Sequence, residues 1–560
     1  MRLPVRNAIG FALSAALGLG VTGCKSDPNS PDTWIPKLDE QSVKVQVNAI
    51  ERLVEIGDKV AVPALVAQLK DGGEVKVAAL RALNKFEDPT IAPALIEAID
   101  LSVGSGTDDA TKFANEANKM IATMLGDLRE KAAVDPLIAL ATRSKDPFVR
   151  VEAVNSLGLI GDVKAVGPLS TIATDDLTDN FVTKKAIQAL GNIGDTGAVP
   201  AIVKMMFRER KGVSFFPEAS YATFQVGPAA SDPLLTVLAG KDEDLKKFCD
   251  EHDIFIEATY AKAAQVLGDL NEARAVPQLV KYLNYENHDL LRQLLVRMQA
   301  ADALGRMRAP EAAPVIAKQL GEEEANVRGT YARALVNIGD KKVVPQLIAC
   351  ALKGDSMDKK IQAREACYIA LSRLGEEKAL AQWLAWEKAE PKASFDRCFK
   401  EMDYAQSNKE DEAKAKQMAI DHCTALSEAV KKMLVDHKSR LVAYGECKQD
   451  VACWTKKLGD ADAKVVERAA YELGRIGDVS VMPALVKAMG HADLDARYAA
   501  ILAADWLVVG SKEGLAAAKA ELPKMEEQLK AEAGKLHFVK VNEDVKRLVM
   551  KVRRMDRIGG

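Results

Sequence analysis

Aromatic side chains make up only 5% of this 560-residue chain, while apolar residues as a whole make up 48%. An apolar share of that size with so few rings suits close-packed helices built on Ala, Leu and Val, and the length calls for several domains or one elongated array. Neither sign of charge is in large excess, the formal net charge being −3. Nucleic-acid backbones need clustered positive charge, which argues against nucleic acid as the main partner. The six histidines are scattered, with no H-E-x-x-H, no paired C-x-x-C and no C-x-x-C-H. Cys249 and His252, three apart, are the nearest approach to a ligand pair, and the reading assigns no metal and no cofactor. G-x-S-x-G, a P-loop and a strand-borne G-x-G-x-x-G are missing as well, so no catalytic residue is assigned and a non-enzyme is expected.

A comfortable membrane span is also lacking at the N-terminus, where the apolar run Ile9–Val21 is too short for one. Arg2 and Arg6 precede it, and Val21-Thr22-Gly23-Cys24 follows. That order resembles a bacterial lipoprotein signal peptide, residues 1–23, with Cys24 as the lipidated first residue of the mature chain. The resemblance implies an anchor of two or three acyl chains in a lipid bilayer, which holds where one chain is marginal. Lys25 stands where the enterobacterial inner-membrane retention signal has Asp, so the outer membrane of the cell envelope is the expected location. Residues 24–42, rich in Pro, Ser, Asp and Asn at their start, read as a flexible tether.

What the chain has in abundance is one repeated stretch. Val149–Asp162, VRVEAVNSLGLIGD, returns as Val182–Asp195, Val327–Asp340 and Val465–Asp478, each followed by a second apolar-periodic stretch with an early proline. The motif leucine recurs as Leu53, Leu83, Leu125, Leu157, Leu190, Leu267, Leu304, Leu335, Leu371 and Leu473, mostly 30 to 37 residues apart. Each unit reads as two helices. Gly57, Gly161, Gly194, Gly339 and Gly477 suit a left-handed stop to the first helix. Asp58, Asp162, Asp195, Asp340 and Asp478 suit a cap for the free N–H groups of the second, and are read as caps rather than acids. One pair cannot bury its apolar face alone, so stacked pairs share a continuous core.

Leu-Gly-x-Ile-Gly-Asp followed by Ala-Val-Pro-x-Leu/Ile resembles the HEAT repeat, especially the short bacterial form similar to phycobilisome-lyase repeats, over most of residues 43–509. The resemblance implies an all-α, right-handed α-solenoid, a superhelix of antiparallel helix pairs that recognises protein or cofactor along its concave second helices. The units are read as repeats at 43–206, a degenerate repeat with an aromatic insertion at 207–262, repeats at 263–375, a helical cysteine-containing insertion at 376–464, repeats at 465–510 and capping helices with a basic tail at 511–560. Phe86-Glu87, Arg129-Glu130 and Gly375-Glu376 replace the glycine–aspartate joint.

Seven cysteines remain beyond Cys24, and export permits disulfides. Cys447 and Cys453 are the best local pair and require a turn between them. Cys398 with Cys423 would fasten the insertion as a hairpin. Cys350 and Cys367 sit in successive helices, but Cys367 fills a slot held by Ala153 and Ala186 in sister repeats, so a bridge and a core thiol both stay open; Cys249 is left over. The tail, with Lys546, Arg547, Lys551, Arg553, Arg554 and Arg557 around an apolar stripe, admits two readings: a helix capping the last repeat, or a basic surface for anionic lipid or an acidic partner. The expectation is a lipid-anchored envelope scaffold whose partners are envelope proteins or peptides. A ligand-binding or lyase-like protein, needing a deep pocket near the aromatic run 213–224, and a purely structural element are the alternatives.

Overall fold

The computed structural model describes residues 27–320, 325–352, 358–402, 409–532 and 539–557. Residues 1–23, read from the sequence as a signal peptide, and Cys24 lie outside them. Two compact units are present, one ending at Ala153 and the other beginning at Val154. Among the described residues the chain is an all-α solenoid, apart from one antiparallel hairpin pairing Glu209–Arg210 with Val213–Ser214.

One joint, built the same way each time, generates the repeats. The first helix ends when its glycine turns left-handed, at φ 73° in Gly57, 75° in Gly161, 68° in Gly194, 76° in Gly339 and 84° in Gly477. Each of these glycines donates its N–H to the carbonyl of the motif leucine, at 3.0 to 3.1 Å. The aspartate that follows accepts from the N–H two residues on: Asp58 from Val60, Asp162 from Lys164, Asp195 from Gly197, Asp340 from Lys342 and Asp478 from Ser480. These caps hold a one-turn 3-10 helix, such as Lys59–Ala61 or Val479–Val481, that precedes the second helix. Proline then opens the second helix, as at Pro63, Pro200 and Pro483, where its missing N–H costs nothing. The motif leucines are 0 to 1% exposed.

Where glycine is replaced, the turn survives. Glu87, Arg129, Asn271 and Arg308 take the left-handed position at φ 48° to 56°. Stacking also depends on the earlier glycine of the motif. A Cβ on Gly191 would stand 2.7 Å from the Cα of Ala222, and one on Gly474 2.7 Å from that of Ala503, so successive first helices approach backbone to backbone there.

Of three irregular stretches, the tether differs from expectation, the aromatic stretch differs in part, and 376–464 agrees with it. The tether is helical from Pro31: helix Pro31–Trp34 and 3-10 turn Ile35–Asp39 precede helix Val43–Ile56, Leu38 is buried, and its carbonyl accepts from Gln46. Apolar anchors Trp34, Ile35 and Leu38 outweigh the polar composition around them. The aromatic stretch departs from the repeat at the hairpin Glu209–Ser214 but rejoins it at helix Phe216–Val226, which takes the first-helix place beside Asn180–Ile193, with Phe215 and Phe224 in the core. In 376–464, Glu377–Glu401 and Lys409–Cys447 form a long helical hairpin, Trp383 donating to Leu434 O at 2.9 Å. Lys448, at φ 49°, ends it, and Asp450 caps the short helix Val451–Lys457.

The last helices of the second unit fold back onto its earlier repeats. Arg475 donates to Val336 O at 2.9 Å, and Arg468, fully buried, donates to Ser372 O and Gly375 O at 2.7 and 3.0 Å. Helix Val539–Arg557 lies against Phe216–Val226, Leu494–Gly510 and Lys512–Ala531, with Arg554 donating to Phe224 O at 2.7 Å.

Candidate interaction surface

In each unit, second helices line an open groove. In the first, Val62–Ala67 and Ala92–Glu97 flank a groove of about 860 Å³, with Pro63, Val66 and Ala94 on its walls and Lys70 and Glu97 at its edges. Lys76 crosses its base to Ala98 O at 2.7 Å, and burial lowers the pKa of its ammonium against the pull of Asp100. In the second unit, Val199–Met206 and Ser231–Leu238 are roofed by an added helix, Glu243–Glu251. Pro200, Val203, Phe207, Pro233, Leu245 and Phe248 line a groove of about 530 Å³ between them. Arg208 lies 4.0 Å from the Phe248 ring centroid, Lys204 is exposed at the wall, and Asp242 and Asp244 face them. The second groove's apolar wall with charges of both signs beside it suits a peptide or a protein helix, whereas the first mixes apolar side chains with Lys70, Asp71, Lys76, Glu97 and Asp100.

A second feature escaped the sequence reading. Aspartate caps place an apolar residue on the exposed start of several first helices: Asp146 accepts from Phe148 N, Asp179 from Phe181 N and Asp289 from Leu291 N. Phe148 is 64% exposed and Leu291 79%. The signal was Asp-x-Phe/Leu at Asp146, Asp179 and Asp289, which at single-copy level reads as an ordinary cap.

The cysteines meet in three bridges: Cys350–Cys367, Cys398–Cys423 and Cys447–Cys453, with Cα separations of 6.0, 5.6 and 5.4 Å. The turn between the last two is Lys448–Asp450. Cys249 is a free, buried thiol whose pKa is pushed up by burial. His252 beside it bonds Phe248 O through Nδ1, and among the described residues no group of three His, Cys, Asp or Glu side chains is placed to hold a metal ion. No described helix is long and apolar enough to cross a membrane.

The basic tail is not a free basic face. Lys551 pairs with Asp505, Arg547 with Asp269 and Asp544 at 3.5 and 3.6 Å, and Arg553 with Glu526 at 2.5 Å. Arg554 is buried against Phe224, and Lys546 lies 4.4 Å from the Tyr221 ring centroid. The Arg557 side chain lies outside the described residues. Helical spacing shows the apolar stripe but not the carboxylates that arrive from 40 to 280 residues away in sequence, such as Asp505 and Asp269.

A family model for HEAT repeats matches residues 31–112, 109–181, 256–324 and 290–367. HEAT repeats are therefore present in both units. Among solved structures, importin beta is 13% identical, with a TM-score of 0.44 over 90% of this chain and 72% of its own. Yeast importin-beta gives 13%, 0.39, 93% and 77% on the same measures. The complex of CpcE and CpcF of phycocyanin lyase from Nostoc sp. PCC7120 gives 18% and 0.19 over 58% of this chain and 100% of its own. At these identities and scores none of them informs the function. A search of curated proteins found no match.

Proposed function

We propose that this chain is a lipid-anchored scaffold of the bacterial cell envelope that binds protein or peptide partners along its second helices. The observation that carries the reading is the pair of grooves, one per unit, each lined by consecutive second helices, the second of them walled mainly by apolar side chains. A partner helix or extended segment would seat apolar anchors between the helices and meet the flanking Lys204, Arg208, Asp242 and Asp244 at the rim. Anchoring through Cys24 would concentrate the scaffold at the membrane, most simply the outer one. The reading is non-enzymatic.

Chemical crosslinking in cells, with mass spectrometry, tests it beside a Cys24→Ala control. A small set of envelope proteins joined to second-helix lysines such as Lys70 and Lys204, and lost in the control, is the expected result. Random abundant neighbours, identical in both strains, would overturn it.

A further inference from the structure

The fold-back of the C-terminal helices encloses a cavity that the scaffold reading does not use. It has a volume of about 220 Å³ and is walled by three separate parts of the second unit. Phe224, Asn271 and Arg308 come from the ends of repeat first helices or the turns after them, Leu502 and Trp506 from helix Leu494–Gly510, and Leu548 from helix Val539–Arg557. Val509 and Gly510, both exposed, mark its open side. Cavities of about 150 Å³ already admit a benzene ring, so this one has room for a ring or short chain bearing one polar group.

The charges around it are unequal in one respect. Four cations line the cavity: Arg306, Arg308, Arg547 and Lys551. Arg306 is paired with Asp269 and Asp302 at 2.8 and 2.9 Å, Arg547 with Asp269 and Asp544, and Lys551 with Asp505. Among the described residues no carboxylate lies within ion-pair distance of Arg308. Its guanidinium stacks 4.6 Å from the Trp506 ring centroid. Burial, and then the like charge of Arg475, pull its pKa below the usual arginine range. Half-buried guanidinium, indole face and apolar wall together form a receptor for a carboxylate carried on an apolar body.

We propose that this cavity binds a small organic monocarboxylate, with the carboxylate on Arg308 and the apolar body against Phe224, Leu502 and Leu548. Because Leu548 belongs to the terminal helix, the complete site exists only while that helix is docked. Binding therefore favours the docked arrangement by mass action.

Benzoate and hexanoate are the probes, titrated calorimetrically into the full mature chain beside neutral benzyl alcohol. Arg308→Asn keeps the left-handed backbone that Asn271 adopts in the sister repeat and removes only the charge. Val509→Trp, at an exposed position, obstructs the mouth while leaving the core intact. The expected result is saturable binding of at least one carboxylate, weakened about tenfold or more by Arg308→Asn and lost in Val509→Trp. Benzyl alcohol binding should be indifferent to Arg308→Asn, and carboxylate should slow deuterium uptake in Val539–Arg557. No binding of either carboxylate to the unaltered chain, or equal affinity for the Arg308→Asn chain, would overturn the proposal.

Discussion

Two copies of one motif meet different surroundings. Helix Asn180–Ile193 keeps Lys184, Lys185 and Gln188 on a partly solvated face, as an amphipathic repeat should. In helix Ala463–Ile476 the matching positions are Glu467, Arg468 and Tyr471, and every residue from Val465 to Gly474 is buried. The first copy is held by apolar contact on one side. The second is held on both, and its outer side binds through charge: Glu467 to Arg373 and Arg440, each at 2.5 Å, and Arg468 to two carbonyls and Glu472. The same helix-and-joint grammar thus builds a stacking unit in one place and the clasp of a fold-back in another.

The largest expected effect breaks the clasp. Arg468→Met strips the partners from Ser372 O and Gly375 O and leaves Glu472 with Arg475 alone; breaking buried ionic contacts of this kind costs about 3–5 kcal/mol. Denaturant unfolding of the second unit should shift accordingly, whereas Lys185→Met in the sister helix should leave it nearly unmoved. Equal small shifts would erase the distinction between the two copies.

Reducing Cys398–Cys423, which closes 25 residues of the inserted hairpin, should cost about 3 kcal/mol in the chain-entropy account. Proteolysis of the hairpin under reducing conditions is the readout, with cleavage in the repeats near Asn180–Ile193 unchanged.

Gly474→Ala drives a Cβ into Ala503 and should cost about 1–3 kcal/mol. Gly329→Ala, exposed and with nothing within 4 Å of its Cβ, should instead stabilise helix Ala325–Ile338 by about 0.5–1 kcal/mol. Thermal melts of the two variants should move in opposite directions. Asp478→Ala is smaller, about 1 kcal/mol for a lost cap, and should match Asp195→Ala because the joint is the same in both copies.

Acid sharpens the comparison further. Burial, then Arg440, Lys464 and Arg373, lower the pKa of His437 to about 3, so the folded ring stays neutral and accepts from Arg440. The unfolded ring takes a proton near pH 6.5. Between pH 6.5 and 3 the unfolded state therefore binds more protons, and stability falls as pH falls through that window. His437→Gln should flatten this part of the stability–pH curve without changing it above pH 7.

Much of the solenoid was legible because its rules are local. A glycine at the left-handed stop, an aspartate two residues before a free N–H and a leucine at helical spacing announce themselves within fourteen residues. The close-packing role of Gly191 and Gly474 was not legible, because it depends on the next repeat's alanine. Nothing in the sequence marks Arg468, Glu467 and Glu472 as interior, since charge at helical spacing is normally a solvated face, and only a partner helix brought from elsewhere buries them. The basic tail admitted both a capping helix and a basic face, and carboxylates distant in sequence decide for the first. Of the interaction surface, the sequence marks which helices come second but not the groove, which requires Glu243–Glu251 as a roof.

The most direct test of the scaffold account is a photocrosslinking scan in cells. A benzophenone side chain would stand at exposed second-helix positions, Ala67 and Lys204, and at exposed first-helix positions, Leu159 and Gln188. The account predicts discrete protein adducts from the second helices and none from the first. Adducts of the same identity and yield from both faces, or from the first helices alone, would contradict it.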